Sequence, residues 1–145
     1  MKFTELIARP VMDLSTATSV GRIDDAVIDP STGRLVGFVL KKTPAKADWL
    51  AWDQVSALGA DAVTVANADA ITDRGEQTGR RLRSDHVVGG RVLSNQGWEL
   101  ASLADLELDP ATGITSSLVL ADGKTVAAGD LIGIGRYATV VSHQA

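Results

Sequence analysis

A five-residue segment of this chain occurs twice, eighty positions apart. Asp-Pro-Ser-Thr-Gly at residues 29–33 returns as Asp-Pro-Ala-Thr-Gly at residues 109–113. Around it, residues 21–40 align with residues 101–120 with seven identities: Asp25/Asp105, Asp29/Asp109, Pro30/Pro110, Thr32/Thr112, Gly33/Gly113, Val39/Val119 and Leu40/Leu120. Chance gives about one or two identities over such a stretch. The sequence therefore predicts one small structural unit present in two copies.

The two copies differ in length at one loop. Past Leu40 the offset falls to seventy-six, so that Gly59 aligns with Gly135. The four missing positions lie where residues 41–48 are replaced by residues 121–124. A shared fold tolerates a length change of this kind when it is confined to a loop.

Both copies are predicted to form β-hairpins. Leu106 and Leu108 alternate with acidic residues, which is the period of two that a half-buried strand shows. The repeated segment predicts a tight turn, because proline presets φ, aspartate accepts backbone hydrogen bonds and glycine adopts the left-handed conformation. The residues given this structural role are Asp29, Pro30, Gly33, Asp109, Pro110 and Gly113.

Further strands are predicted on both sides of the first hairpin. An opening strand is expected at Thr4 to Val11, and a third strand at Trp49 to Trp52. A short helical turn capped by Asp53, or by Asp130 in the second copy, follows.

A closing hairpin that turns at Gly59 or Gly135 completes each copy. Short strands with glycine at the corners indicate a small barrel that closes its own edges. The predicted fold is all-β: two tandem barrels at residues 1–66 and 86–145, joined by a linker at residues 67–85.

Charge is spread unevenly over the chain, whose net charge is −4. Both copies are acidic, and the only basic cluster, formed by Arg74, Arg80, Arg81 and Arg83, lies in the linker. These arginines are candidate contacts for nucleic-acid phosphate. Three acidic residues are interspersed among them and no aromatic residue is available for base stacking. A solvated linker is therefore favoured over a nucleic-acid site.

Several classes of protein are disfavoured by composition. There is no cysteine, which excludes disulfides and thiolate chemistry. Residues 1–12 lack the apolar run of a signal peptide. The longest apolar stretches have the length of strands and fall short of the ~20 residues that span a bilayer. We expect a cytoplasmic protein with no membrane span.

Neither a metal site nor a catalytic site is predicted. Asp24, Asp25 and Asp29 offer oxygen ligands, but turn chemistry accounts better for Asp29. The two histidines, His86 and His143, lack further ligands at a suitable spacing. No local motif places a nucleophile. We therefore expect no cofactor and no enzymatic activity.

The tryptophans are the candidate interface residues. Trp49 and Trp52 are three positions apart, so on a strand they face opposite sides, one filling the first barrel and the other lying outside. Trp98 follows a predicted turn at residues 94–97 and is expected to be partly exposed. Exposed aromatic residues are enriched in the cores of protein interfaces. We expect the two barrels to pack face to face, or to pair with the same face of another chain. Trp52 and Trp98 are selected as the buried aromatics of such a contact, although covering a barrel end explains them equally well.

The order of these features resembles the PRC-barrel family. The resemblance rests on the hairpin with Asp-Pro-x-Thr-Gly, the variable loop and the segment Trp-Asp-Gln-Val-Ser-Ala-Leu-Gly-Ala-Asp-Ala-Val at residues 52–63. That family includes the photosynthetic reaction-centre H chain and the C-terminal domain of the ribosome-maturation factor RimM. The resemblance implies a compact barrel used for protein or ribonucleoprotein contacts, and it supplies no catalytic residues.

Two functions follow from this resemblance as expectations. The first is a non-enzymatic protein-interaction or scaffold module whose partner is another protein or a second copy of the chain. The alternative is a ribosome- or RNA-associated assembly factor, by analogy with RimM. Fold-level analogy alone does not decide between them.

Overall fold

The fold is all-β, with about half of the residues in strands. The computed structural model describes residues 1–44, 46–73 and 87–142, together with the backbone of residues 82–83. In this part of the chain the only helical elements are short 3₁₀ turns: Phe3–Leu6, Trp52–Gln54, Ala68–Ala70 and Ala128–Asp130.

Fourteen strands are distributed over three sheets in the described ranges. In chain order they are β1 (Pro10–Asp13), β2 (Thr18–Ile28), β3 (Leu35–Lys41), β4 (Trp49–Ala51), β5 (Val55–Leu58), β6 (Val63–Val65), β7 (Ile71–Thr72), β8 (Leu82–Arg83), β9 (Val92–Ser94), β10 (Leu103–Leu108), β11 (Thr115–Leu120), β12 (Thr125–Ala127), β13 (Leu131–Ile134) and β14 (Thr139–Val141). The largest sheet has the order β5-β6-β1-β2-β3-β4-β7, and β8 also pairs with β2. The second half forms the sheets β10-β11-β12 and β13-β14-β9.

Strand pairing follows the same register in both halves. In the β2–β3 hairpin Asp25 pairs with Val39, and in the β10–β11 hairpin Asp105 pairs with Val119. The bulges that interrupt the two hairpins also fall at equivalent positions. The parallel pair β1–β6 has its counterpart in β9–β14, and the closing hairpins β5–β6 and β13–β14 share the position of their bulge.

The aspartate at the first hairpin bulge is buried in both halves. Asp25 is 4% exposed and Asp105 is 7% exposed, although strand alternation predicts that Asp25 lies on the side opposite the core. The bulge re-aims the side chain, and its Oδ1 accepts the N–H of the next residue at 2.8 Å in each half. This hydrogen bond to the bulged backbone explains why both halves have aspartate at this position.

The N-terminal arm of the chain crosses to the other half. Lys2 forms an isolated bridge with Glu107, and Leu108 N–H donates to the carbonyl of Met1 at 2.7 Å. In the opposite direction β8, which precedes the second half, pairs with β2 through Val27 and Ile28. Since Val27 and Ile28 are the counterparts of Glu107 and Leu108, the two contacts form a reciprocal exchange of arms.

One hydrophobic core joins the two halves. Its buried members come from both, among them Phe3, Phe38 and Leu50 from the first and Leu106 and Leu118 from the second. Phe3 and Leu106 are fully buried. Each half has only about sixty ordered residues, a size at which a separate core is marginal. The shared core and the exchanged arms both join the two halves.

Three local expectations differ from the structure. The opening strand predicted at Thr4 to Val11 is a 3₁₀ turn at Phe3–Leu6, and β1 begins only at Pro10. Asp53 and Asp130 do not cap their 3₁₀ turns, whose N-caps are Ala51 and Ala127 with no side-chain hydrogen bond. Each aspartate instead lies within its turn, past the cap position.

The segment predicted as a linker, residues 67–85, contributes to the largest sheet where it is described. Asn67 caps the 3₁₀ turn at Ala68–Ala70 by accepting the N–H of Asp69, and β7 then pairs with β4. The strands β7 and β8 are two residues long, which is too short for a recognisable periodicity.

Candidate interaction surfaces

The two Asp-Pro-x-Thr-Gly turns have nearly the same geometry. Oδ1 of Asp29 accepts the N–H of Ser31 at 2.8 Å, and Oδ1 of Asp109 accepts the N–H of Ala111 at 2.9 Å. Gly33 and Gly113 have φ of +70° and +71°, a conformation that glycine adopts without strain. Pro30 lies between Asp29 and Ser31, and Pro110 lies between Asp109 and Ala111. A fixed φ at this position favours the turn.

These two turns lie against each other at the junction of the halves. The N–H of Leu35 donates to the carbonyl of Gly113 at 2.8 Å, and the hydroxyl of Thr115 donates to the carbonyl of Gly33. Ile134 N–H donates to the carbonyl of Pro30 at 2.7 Å. The repeated motif therefore serves the contact between halves as well as its own hairpin.

Trp52, selected as an interface residue, takes part in this internal junction. It is partly buried and packs against the main core. Its indole lies next to Gly113 of the other half, where a Cβ would come within 2.9 Å of Cε2. Trp52 thus contacts the other half of the same chain.

Trp49 is buried on the opposite face of the hairpin sheet. It is 2% exposed and packs with Val27 and Val39 in a small cluster separate from the main core. In the second half Glu107 and Thr125 stand in place of Val27 and Trp49. The outer hairpin face is therefore apolar and covered in the first half and polar in the second.

Trp98, the other candidate, is 68% exposed. Ser94 fixes its backbone, because the N–H of Ser94 donates to the carbonyl of Trp98 at 2.8 Å and the hydroxyl of Ser94 accepts the N–H of Trp98. The indole is thus held on a defined backbone and faces solvent.

A group of one charged pair and one aromatic ring lies next to the ends of β9 and β14. The guanidinium of Arg91 is 4.9 Å from the ring centroid of Tyr137, and its Nε donates to Oε1 of Glu99 at 2.6 Å. The hydrogen bond with Glu99 raises the pKa of Arg91 above its usual value, with a further contribution from Tyr137. Tyr137 is 74% exposed. Its contact with Arg91 therefore positions the ring without burying it.

Four of the five exposed large hydrophobic residues among the described residues lie in the second half: Trp98, Ile114, Ile132 and Tyr137. The aligned positions of the first half carry polar residues, all of them exposed: Thr18, Arg34, Ser56 and Asp61. The reverse exchange occurs at Leu14, whose structural counterpart is Asn95. The N–H of Leu14 donates to the carbonyl of Val65, and the N–H of Asn95 donates to the carbonyl of Val141, the counterpart of Val65. Sequence reasoning selected only Trp98 from this set, although the alignment of the copies contained the signal for all four.

The basic cluster lies almost entirely outside the described residues. Arg74, Arg80 and Arg81 fall there, as do His86 and His143, and Arg83 is described through its backbone in β8. In the described ranges no group of three acidic or histidine residues is arranged to hold a metal ion. No helix in these ranges is long and apolar enough to cross a membrane.

Comparison with known proteins agrees with the first half of this architecture. No curated protein matches the chain. The sequence model of the PRC-barrel domain matches residues 1–71, which run from the N-terminal arm to the first residue of β7. Residues 1–71 of this chain are a PRC-barrel domain.

Proposed function

We propose that this chain is a non-enzymatic protein-interaction module built from two copies of the PRC-barrel unit, with its contact surface on the second copy. The equivalent registers and bulges of the two halves support the duplication. The shared core and the exchanged arms support a single body on which a surface can be presented.

The observation that carries the proposal is the exchange of polar for apolar residues between equivalent surface positions. Isolated exposed hydrophobic residues are ordinary on protein surfaces. Here the first half carries Thr18, Arg34, Ser56 and Asp61 at the same backbone positions. The same backbone is therefore compatible with polar residues at the positions of Trp98, Ile114, Ile132 and Tyr137. Aromatic residues such as Trp98 and Tyr137 are enriched where proteins associate.

The hydrogen bonds of the acidic side chains to the local backbone support a non-enzymatic role. Asp29 and Asp109 accept N–H groups of their turns, and Asp25 and Asp105 accept N–H groups at their bulges. Asp13 accepts the N–H and hydroxyl of Ser15. These carboxylates are thus already engaged by the local backbone.

The test transplants the surface of the first copy onto the second. The variant Trp98→Thr, Ile114→Arg, Ile132→Ser, Tyr137→Asp places at each position the residue that the same fold already carries. Leu14→Asn, which places the residue of the second half at an exposed hydrophobic position of the first half, is the matched control. Proteins captured from the native cell by in-cell cross-linking are compared quantitatively among the three chains.

We expect one protein to be captured by the native chain and the control and to be reduced at least ~tenfold by the transplant, equivalent to about 1.4 kcal/mol of binding free energy. Equal capture by all three chains contradicts the proposed surface. Ribosomal proteins or RNA that are captured equally by the transplant would support the RNA-associated alternative instead.

A further inference from the structure

Among the residues that the structure describes, β12 has one partner strand, whereas its counterpart in the first half, β4, has two. β4 pairs with β3 on one side and with β7 on the other, with Trp49 opposite Thr72 and Leu50 opposite Ile71. β12 pairs with β11 in the register that β4 has with β3. Within the part of the chain that the structure describes, no strand pairs with the other edge of β12.

A groove lies in the second half where β7 lies in the first. In the first half Val20, Leu40 and Leu50 are buried, and Ala70 beside them is 7% exposed. Leu100 and Val126, the counterparts of Val20 and Leu50, are partly exposed, and a cavity opens beside them. The groove is lined by Leu100, Ala101, Leu120 and Val126, with Asp122, Lys124 and Thr125 at its rim.

The first half shows what kind of segment fits such a groove. Ala70 is small and buried, Ile71 packs partly buried against the core, and Asp48 N–H donates to the carbonyl of Thr72 at 3.0 Å. The occupant is thus extended, with a small residue followed by a β-branched apolar residue. Main-chain pairing at a sheet edge supplies affinity, and the pockets for alternate side chains supply specificity.

We propose that the groove beside β12 binds an extended segment of a partner protein, which adds to β12 as an antiparallel strand. The inference rests on the proposed interaction function and names one contact for it. The segment carries a small residue followed by isoleucine or valine, and an acidic residue close behind them. Lys124 stands in the second half where Asp48 stands in the first. An acidic residue of the segment is therefore favoured beside Lys124 and away from Asp122, the other charged residue at the groove.

A second copy of the chain is a poorer occupant than another protein. The matching segment of the chain, Ala70 to Thr72, is already paired with β4 and covers Leu50. A second copy could donate it only by opening its own sheet and exposing that core. A foreign segment carries no such cost.

The experiment is a titration of the isotopically labelled full chain followed by NMR. The probe is a synthetic peptide with the sequence of residues 67–73, Asn-Ala-Asp-Ala-Ile-Thr-Asp, which is the segment that fills the first groove. The control peptide replaces its isoleucine by aspartate. We expect saturable chemical-shift changes confined to residues 100–101 and 120–127, and at least ~tenfold weaker binding of the control, because a charge would enter an apolar groove.

Two chain variants make the result specific. Ala101→Leu fills the groove and should abolish binding, while its NMR spectrum reports whether the fold is kept. Lys124→Asp restores the charge of the first half and should weaken binding of the acidic peptide, with an effect that decreases at high salt.

Three outcomes overturn the inference: no shifts at millimolar peptide, equal binding of both peptides, or shifts in the first half only. Concentration-dependent shifts at the same residues without peptide would assign the groove to a second copy and also overturn it. The surface transplant described above leaves the groove unchanged, so failure of the groove and failure of the proposed interaction surface are distinguishable.

Discussion

Gly113 lies directly against the indole of Trp52, in the other half of the molecule. A methyl group on its Cα would be 2.9 Å from Cε2 of the ring and 3.1 Å from Cζ2. The same residue has φ of +71° and accepts the N–H of Leu35 through its carbonyl. A residue that the sequence marks as part of a turn is thus also a close contact between the two halves of the chain.

Replacing Gly113 by alanine should destabilise the chain by about 2–4 kcal/mol, from the left-handed backbone and from overlap with the indole. Gly97→Ala is the matched control, because Gly97 has φ of +85° and a Cβ added there would meet no atom within 4 Å; it should cost about 1–2 kcal/mol. Urea unfolding measures both. Equal losses would show that Trp52 does not constrain this position, and a Trp52→Leu background should remove the difference between them.

Ala17→Gly should stabilise the chain by about 0.5–1 kcal/mol. Ala17 has φ of +55°, and its counterpart in the second half is Gly97. Alanine is strained in this region and glycine is not, so the first copy carries a backbone cost that the second avoids. The urea midpoint of the single variant measures the gain, and a lowered midpoint would contradict the assigned conformation.

Thr4→Val should weaken the docking of the N-terminal arm. The hydroxyl of Thr4 donates to Oδ2 of the buried Asp105, and its N–H donates to Oδ1 at 3.0 Å. Loss of the hydroxyl bond to a charged group should cost about 1.5–3 kcal/mol. The control is Ser116→Ala, which removes an exposed hydroxyl bonded to the carbonyl of Glu107 and should change stability by less than about 0.5 kcal/mol. Equal effects of the two variants would contradict the role given to Thr4.

The stability of the first copy should depend on the charge of Asp13. The hydroxyl and N–H of Ser15 donate to its carboxylate and hold its pKa below the usual value. A lowered folded-state pKa contributes stability above the unfolded-state value, and that stability is lost as pH falls through the folded-state value. Native stability should therefore fall below about pH 4.

Asp13→Ser supplies the comparison, because Ser94 caps the equivalent turn of the second copy without a charge. The difference in urea midpoint between the native chain and this variant should shrink as pH is lowered from about 6 to about 3. A difference that stays constant over this range would show that the carboxylate charge has no part in the turn.

Local sequence patterns predicted the hairpins, but they could not predict which residues far apart in the sequence pair with each other. Alternation and turn chemistry placed the β2–β3 and β10–β11 hairpins and the closing hairpin of each half. The exchange of Met1 and Lys2 onto Glu107 and Leu108 could not be predicted in this way. It joins residues about a hundred positions apart and is determined by where the shared core lies.

The candidate interface residues were also predicted only in part, because their exposure depends on contacts between distant residues. Trp98 was selected as an exposed aromatic residue, and it is 68% exposed. Trp52 was selected for a contact between the two barrels or with another chain, and its indole lies against Gly113 of the other half. Exposure of an individual aromatic residue follows from tertiary packing, whereas the difference between the copies at positions such as Tyr137 is visible in the aligned sequence.

The central claim is that the two halves of the chain fold as one body, and a fragment tests it most directly. Residues 1–73 contain the matched PRC-barrel domain and the complete β7 but lack the core residues Leu106 and Leu118. We expect this fragment to be unfolded or to self-associate, and to unfold at far lower urea than the full chain. A fragment that is monomeric by sedimentation and unfolds at the same urea concentration as the full chain would contradict the claim.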